Sequence, residues 1–325
     1  MKKNIVIRKA DCFDILKLVQ MSMDFLYKEQ GEGQVKKYID LNLKIEAFFR
    51  KYLNNNLDVF LAELDGRIIA ALGTSYLTLF PRMNSRNNKC AYLLFAYIEP
   101  LYENKELKKT LCEESMENAK KQGAEVYEIG VAEKDLLRYK ALGFKASGYS
   151  AIHLMLGGNS VCDKWADKVE KNITLRKAIP SDIPQLVDIR MQFLSEVSSV
   201  EPIEKSKDFN KRLNLFLEEH FDKDMDTFVA ELNGEILSMC FMLYYDKMPE
   251  PGLVNGKIGI PINNYTKPQY RNKGLSKALF EVLIKHAEKR GVEMLEMEIP
   301  ENAMPFYEEF GFKPMKTISV STLLI

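Results

Sequence analysis

Tyr270-Arg271-Asn272-Lys273-Gly274-Leu275-Ser276 joins two apolar stretches of different period, and the fold follows from that junction. Upstream, Lys257 to Tyr265 reads as a strand. Downstream, Leu275, Ala278, Leu279, Val282, Leu283 and Ala287 recur at helical spacing until Gly291 ends the run. The junction is therefore a strand-to-helix turn, and the first N–H groups of the helix lack intrahelical partners. Such a turn suits phosphate: Gly274 has no side chain to hold an anion off, and the helix dipole favours negative charge by about 0.3 to 2 kcal/mol. Arg271 and Lys273 add positive charge, with Ser276 and Lys277 in reach as direct contacts. The same residues would also suit a merely solvated helix edge. Neither G-x-x-x-x-G-K-[ST] nor G-x-G-x-x-G occurs here.

Working outward, the second half reads as a strand from Ile173 to Lys177, then Ser181-Asp182 capping a helix that runs through Leu194. A helix covers about Lys207 to His220. Two strands, Phe228 to Leu232 and Glu235 to Tyr244, flank Asn233-Gly234, a strong hairpin signal. After the central helix come a strand from Met294 to Ile299, a short helix from Asn302 and a last strand from Thr317 to Leu324. This is an α/β chain with a mixed sheet and helices on its faces.

The first half repeats the second at one constant offset. Asn4-Ile5-Val6-Ile7-Arg8-Lys9-Ala10 returns as Asn172-Ile173-Thr174-Leu175-Arg176-Lys177-Ala178, 168 residues on. The same offset carries Ala62-Glu63-Leu64-Asp65-Gly66 onto Ala230-Glu231-Leu232-Asn233-Gly234, Tyr139 onto Tyr307, and Gly143-Phe144 onto Gly311-Phe312. Two tandem copies of one fold are expected, 1–157 and 172–325. The linker, 158–171, opens on turn formers after Gly157 and contains the only tryptophan, Trp165.

Composition narrows the function classes. Lys plus Arg (46) balances Asp plus Glu (46), so no net field gathers nucleic acid or a membrane surface, and neither is expected as a partner. No stretch has the length of a membrane span, and the basic N-terminus lacks an apolar signal-peptide run. The five cysteines are scattered without a CxxC pair, and the three histidines form no HxxxH pattern. A reducing cytoplasm fits, and no metal is expected. A homodimer is compatible with such a chain.

Past the turn lies Asn302-Ala303-Met304-Pro305-Phe306-Tyr307-Glu308-Glu309-Phe310-Gly311-Phe312, and before it Ile262-Asn263-Asn264-Tyr265-Thr266-Lys267-Pro268. With these the second half resembles the GNAT superfamily of N-acetyltransferases. That family's (R/Q)-x-x-G-x-(G/A) pyrophosphate loop is followed by an asparagine and by a tyrosine ahead of a Gly-Phe turn. Ser276 replaces the family's Gly or Ala. The resemblance implies two tandem GNAT-like folds and acetyl-CoA as cosubstrate. It places the cofactor on Asn264, Tyr265, Thr266, the loop Arg271, Asn272, Lys273, Gly274, Leu275, Ser276 and Lys277, and Asn302. Backbone N–H groups near Asn264 to Thr266 would polarise the thioester carbonyl.

Tyr307 would protonate the departing thiolate, a phenol being a competent acid toward a thiol; packing in an aromatic run is its other reading. Asn302 is also expected to cap the short helix. The strand from Lys257 to Asn263 has no carboxylate to act as base. Glu296 and Glu298, on one face of the next strand, are the next candidates, and a solvated face is the competing reading.

In the first half the offset puts Glu103, Glu106 and Lys108 at the positions of Arg271, Gly274 and Ser276. Two carboxylates would meet a pyrophosphate there, so that half is expected to keep the fold and lose the cofactor, with Tyr139 packing. Glu114 and Ser115 replace Val282 and Leu283 and weaken the helix's apolar stripe. The implied activity is acetyl transfer to a primary amine of a small molecule or peptide by the second half. A non-catalytic acyl-CoA sensor is the alternative. Ser195 to Phe209 and Asp246 to Asn255 resemble substrate loops without naming a substrate.

Overall fold

The computed structural model describes residues 5–83, 85–103, 105–141, 143–157, 164–197 and 203–324. The start of the expected linker, 158–163, and 198–202 of the expected substrate loop lie outside them. The first half runs β1 (Ile5–Lys9), α1 (Ile15–Gln30), α2 (Glu32–Val35), α3 (Leu41–Tyr52), β2 (Leu57–Leu64), β3 (Arg67–Thr78), β4 (Lys89–Ile98), α4 (Lys105–Lys121), β5 (Val126–Ala132), α5 (Leu136–Ala141), β6 (Lys145–Ala146) and β7 (Ser150–Met155). The second runs β8 (Thr174–Lys177), α6 (Ile183–Val197), α7 (Ile203–His220), β9 (Met225–Leu232), β10 (Glu235–Asp246), β11 (Lys257–Thr266), α8 (Leu275–Lys289), β12 (Met294–Ile299), α9 (Met304–Glu308), β13 (Lys313–Pro314) and β14 (Thr317–Leu323).

The tandem repeat is visible in the details. At the β9–β10 hairpin Asn233 and Gly234 both have positive φ, 52° and 82°, as a two-residue turn between twisted strands requires. Arg176 grips Asp182 and Glu231, and its counterpart Arg8 grips Asp14 and Glu63. Each sheet carries two helices on one face, α1 and α3 or α6 and α7, and one long helix on the other, α4 or α8. Ser115 does not weaken α4 as its polarity suggests. It is fully buried within a triad of hydroxyls with Thr74 (2.6 Å) and Tyr127 (2.8 Å), so each polar group has a partner.

Sheet membership departs from the repeat at the last strand of each half. Among the described residues the sheet orders are β1-β2-β3-β4-β5-β14-β6 and β13-β7-β12-β11-β10-β9-β8. Strand β7 leaves its own half to pair antiparallel with β12, and β14 returns to pair with β5. Ile152 is thereby fully buried in the second half's core and Val320 in the first half's. Two connections are exchanged as well. Phe80, after β3, enters the core under α6 and α7, while Met248, 168 residues later, enters the core under α1 and α3.

The segment that follows the linker's undescribed part is fixed to the second half. Glu281, buried on α8, accepts hydrogen bonds from the backbone N–H groups of Lys164, Trp165 and Ala166 at 2.8, 2.9 and 2.9 Å. Among the described residues no helix is long and apolar enough to cross a membrane, and no cluster of His, Cys, Asp and Glu could hold a metal ion.

Candidate active site

Strand β11 supplies the floor of the site because it is paired fully on one edge only. Its parallel pairing with β12 is confined to Ile258↔Met294 and Gly259↔Leu295, after which the strands part. From Ile260 to Thr266 the edge of β11 that faces the gap has no strand partner among the described residues, and its backbone groups are left to pair with a ligand. On the other edge the register with β10 shifts between Met239 and Phe241, so that Cys240 faces both Asn263 and Asn264. Asn263 takes a left-handed φ of 53° at this bulge, a conformation asparagine tolerates.

The loop after β11 has the geometry its sequence implies. Gly274, with φ 80° and ψ 0°, is the N-cap of the 15-residue helix α8, and among the described residues no side chain caps the helix. A Cβ placed on Gly274 would meet nothing within 4 Å, so the backbone faces open space; the positive φ itself calls for glycine. Ser276 Oγ reaches Asn264 Oδ1 at 2.8 Å and ties the helix start to the bulge. Leu275 is buried beneath α8.

The basic side chains of the loop have carboxylate neighbours. Arg271 donates to the Thr266 carbonyl (3.0 Å) and to Glu196 on α6 (2.5 Å). Lys273 lies 3.5 Å from Glu170. Lys277 lies 2.5 Å from Glu309 and 4.2 Å over the Trp165 ring. Tyr265 and Thr266 are buried; the Tyr265 hydroxyl reaches out to the exposed Glu196 of α6, to which it donates, and Thr266 meets the buried Ser238. What these two offer at the open edge of β11 is backbone.

Tyr307, on α9, is held by its ring. Phe280, Phe306 and Phe312 surround it with centroids at 5.4, 4.9 and 5.7 Å, all edge-on. Its hydroxyl makes no hydrogen bond among the described residues. Burial, with a smaller contribution from Cys240, raises its pKa above the ordinary phenol value, which keeps it protonated and able to donate.

On β12, Leu295 and Met297 pack under α8, so Glu296 and Glu298 face the opposite side, as alternation requires. Glu298 is exposed. Glu296 accepts from the Tyr245 hydroxyl and sits 2.5 Å from Lys247 Nζ. Burial pushes its carboxyl up to about 7 and the Lys247 ammonium down to about 8.

Asn302 is exposed within a tight turn, Glu301–Ala303, and does not cap α9 as expected. That turn leads directly into the helix, whose N-cap is Ala303 with helical φ and ψ, and Pro305 follows in the first turn where no N–H partner is needed.

One residue escapes sequence reasoning. Arg190, on α6, is only 8% exposed and donates to the Asn263 side-chain carbonyl at the bulge. The signal was present: Ile183, Leu186, Val187, Phe193 and Leu194 mark an apolar stripe, and Arg190 falls on it.

In the first half, Glu106 borders a cavity of about 480 Å³ lined by Leu72, Leu93, Cys112, Leu137 and Tyr139, at the place the offset assigns to the glycine loop. Glu103 pairs with Lys28, and Tyr139 packs edge-on against Phe144 at 5.8 Å.

Residues 184–312 match the model of the Acetyltransferase (GNAT) family. The match to the GNAT family spans most of the second half. The whole chain has a tandem GNAT fold. It superposes on the tandem GNAT protein from the clavulanic acid biosynthesis pathway with a TM-score of 0.57 at 12% identity, covering 99% of each chain. A GCN5-related N-acetyltransferase from Sphaerobacter thermophilus gives 0.58 at 14% identity over 98% of this chain and 96% of that one. The GCN5-related glucosamine N-acetyltransferase region of a fungal multi-domain GH3 beta-N-acetylglucosaminidase gives 0.62 at 14% identity; this chain is covered to 99% and spans 38% of the fungal one. At such identities the likeness is one of fold. No curated protein matches the chain by sequence.

Proposed function

We propose that this protein is an acetyl-CoA-dependent N-acetyltransferase acting on a primary amine, with its chemistry in the second half. The observation that carries this reading is the uncapped start of α8 at left-handed Gly274, beside a β11 edge left open where β12 parts from it. Pyrophosphate oxygens would accept from the first N–H groups of α8, and the pantetheine amides would extend the ladder along β11. The residues present fit that ligand: Gly274 leaves the loop clear, and Ser276 is small.

The acceptor nitrogen would attack the thioester carbonyl from the α6 and α7 side of the gap, forming the C–N bond as the C–S bond breaks. Tyr307, on the α8 side, hands its proton to the leaving sulfur. Glu296, held near neutrality, takes the proton that the amine sheds. The first half keeps the fold with Glu106 where phosphate would dock, and serves the second half structurally. A sensor without turnover is favoured by one contact only, the engagement of Glu296 with Lys247.

The test is thermal stability with and without acetyl-CoA, followed by free-thiol release against a panel of amines. Ligand at 100 times its Kd stabilises by about 2.7 kcal/mol. Gly274→Glu should abolish the shift, and Glu106→Gly should not create a second site. No shift in the parent protein would sink the proposal, and a shift without turnover on any amine would leave the sensor.

A further inference from the structure

Among the described residues Arg190 is a buried cation without an anion. Among the described residues its one side-chain hydrogen bond goes to the Asn263 amide oxygen, and no carboxylate lies within ion-pairing distance. Its Nε and the neighbouring Asn263 Nδ2 are both buried donors with no acceptor among the described residues. Phe80 and Phe193 stack on the guanidinium at 5.4 and 5.1 Å, which offsets part of the desolvation but satisfies none of these donors. Burial pushes even this guanidinium down to about 10. Arg8 and Arg176, by contrast, each hold two carboxylates. A lone buried charge is strongly destabilising, so its persistence calls for a ligand that neutralises it.

Its place says which ligand. The repeat puts Ser22 and Phe95 where the second half has Arg190 and Asn263, so the pair exists only in the half that carries the glycine loop. Arg190 meets the bulge of β11 from the α6 and α7 face, the side on which Glu296 also lies. It precedes Glu196, the partner of Arg271, by six residues, about 9 Å along the helix axis, which sets it apart from the pyrophosphate loop.

Resting on the transferase reading above, we infer that the acceptor amine carries a carboxylate, which Arg190 and Asn263 hold while the amine faces the gap. A planar guanidinium matches a carboxylate in two parallel hydrogen bonds, and the orphaned Nε and Nδ2 donors are of the kind such an oxygen pair completes. Phe80 is then a wall of the acceptor pocket, supplied by the half that has lost the cofactor loop.

The experiment uses the full chain and thermal shift in the presence of CoA. The probes are amino acids, the matching amino-acid amides, and O-phosphoethanolamine. Amino acids should stabilise the protein and their amides should not; Arg190→Gln should weaken amino-acid binding by at least about 30-fold and erase the preference over amides. The acetyl-CoA shift of the same variant should persist, which shows that the variant is folded. Arg190→Lys should bind amino acids between the two. Equal stabilisation by amides, a stronger shift with O-phosphoethanolamine than with any amino acid, or unchanged amino-acid binding in Arg190→Gln would overturn the inference. An amino-acid shift that depends on Arg190 without any acetyl-CoA shift would instead remove the transferase reading and leave the carboxylate site standing.

Discussion

The Phe80 ring, on the connection after β3, lies 4.8 Å from the Phe241 ring of β10 and 5.3 Å from Phe216 of α7, inside the core of the other half. Phe80→Ala is therefore expected to destabilise the whole chain by about 3 to 5 kcal/mol, as a buried phenylalanine does when truncated. Urea unfolding followed by the emission of Trp165, in the linker segment held on α8 of the second half, would detect this although the substitution lies in the first. An unchanged midpoint would mean that the exchanged loop is not part of the core.

Tyr307→Phe should separate chemistry from folding. The three ring contacts survive and no hydrogen bond among the described residues is lost, so the melting temperature should change little. With the proton donor gone, kcat should fall by about 10² to 10⁴ while acetyl-CoA binding holds. Full turnover in this variant would return Tyr307 to a packing role.

Glu296 gives a pH signature. Because the carboxylate is the basic form and burial raises its pKa to about 7, the rate should climb as pH rises through neutrality and then level off. Glu296→Gln should remove that limb and lower kcat. If the limb disappears in Glu298→Gln instead, the exposed carboxylate is the base.

Acid stability should be governed by the paired clusters of Arg8 and Arg176. Hydrogen bonds from Arg176 and Arg8 hold the Asp182 and Asp14 carboxyls below their ordinary 3.8, outweighing desolvation. A depressed folded-state pKa contributes stability that is present above the unfolded value and lost as pH falls through the folded one. Melting temperatures should drop below pH 4, and Asp182→Asn together with Asp14→Asn should be less stable at pH 7 with a flatter acid limb. An acid limb as steep as the parent's would place the sensitivity elsewhere.

The repeat, the strand-to-helix turn and the helical faces were legible because each depends on local period or on one register held over half the chain. Asn233-Gly234 announced its hairpin by backbone conformation alone. The partner of β7 could not be read in the same way: Ile152 and Leu154 alternate identically whichever sheet buries them, and pairing across the repeat leaves no local mark. Ser115 misled because a buried hydroxyl is costly only without partners, and Thr74 and Tyr127 are brought to it by the fold. Arg190 is visible as a basic residue on an apolar stripe, but its lack of a carboxylate among the described residues is a fact of three dimensions.

The exchange of β7 and β14 also sets an order of assembly. Thr317 pairs with Ala132, 185 residues earlier, so the first sheet stays unfinished until β14 has been synthesised. The waiting edge of β5 is an unpaired strand next to a partly formed core, which favours aggregation in a nascent chain. Folding on the ribosome should therefore complete both halves only once β14 has emerged, and a polypeptide stopped in the linker would be left with an open β5 edge and a stray β7.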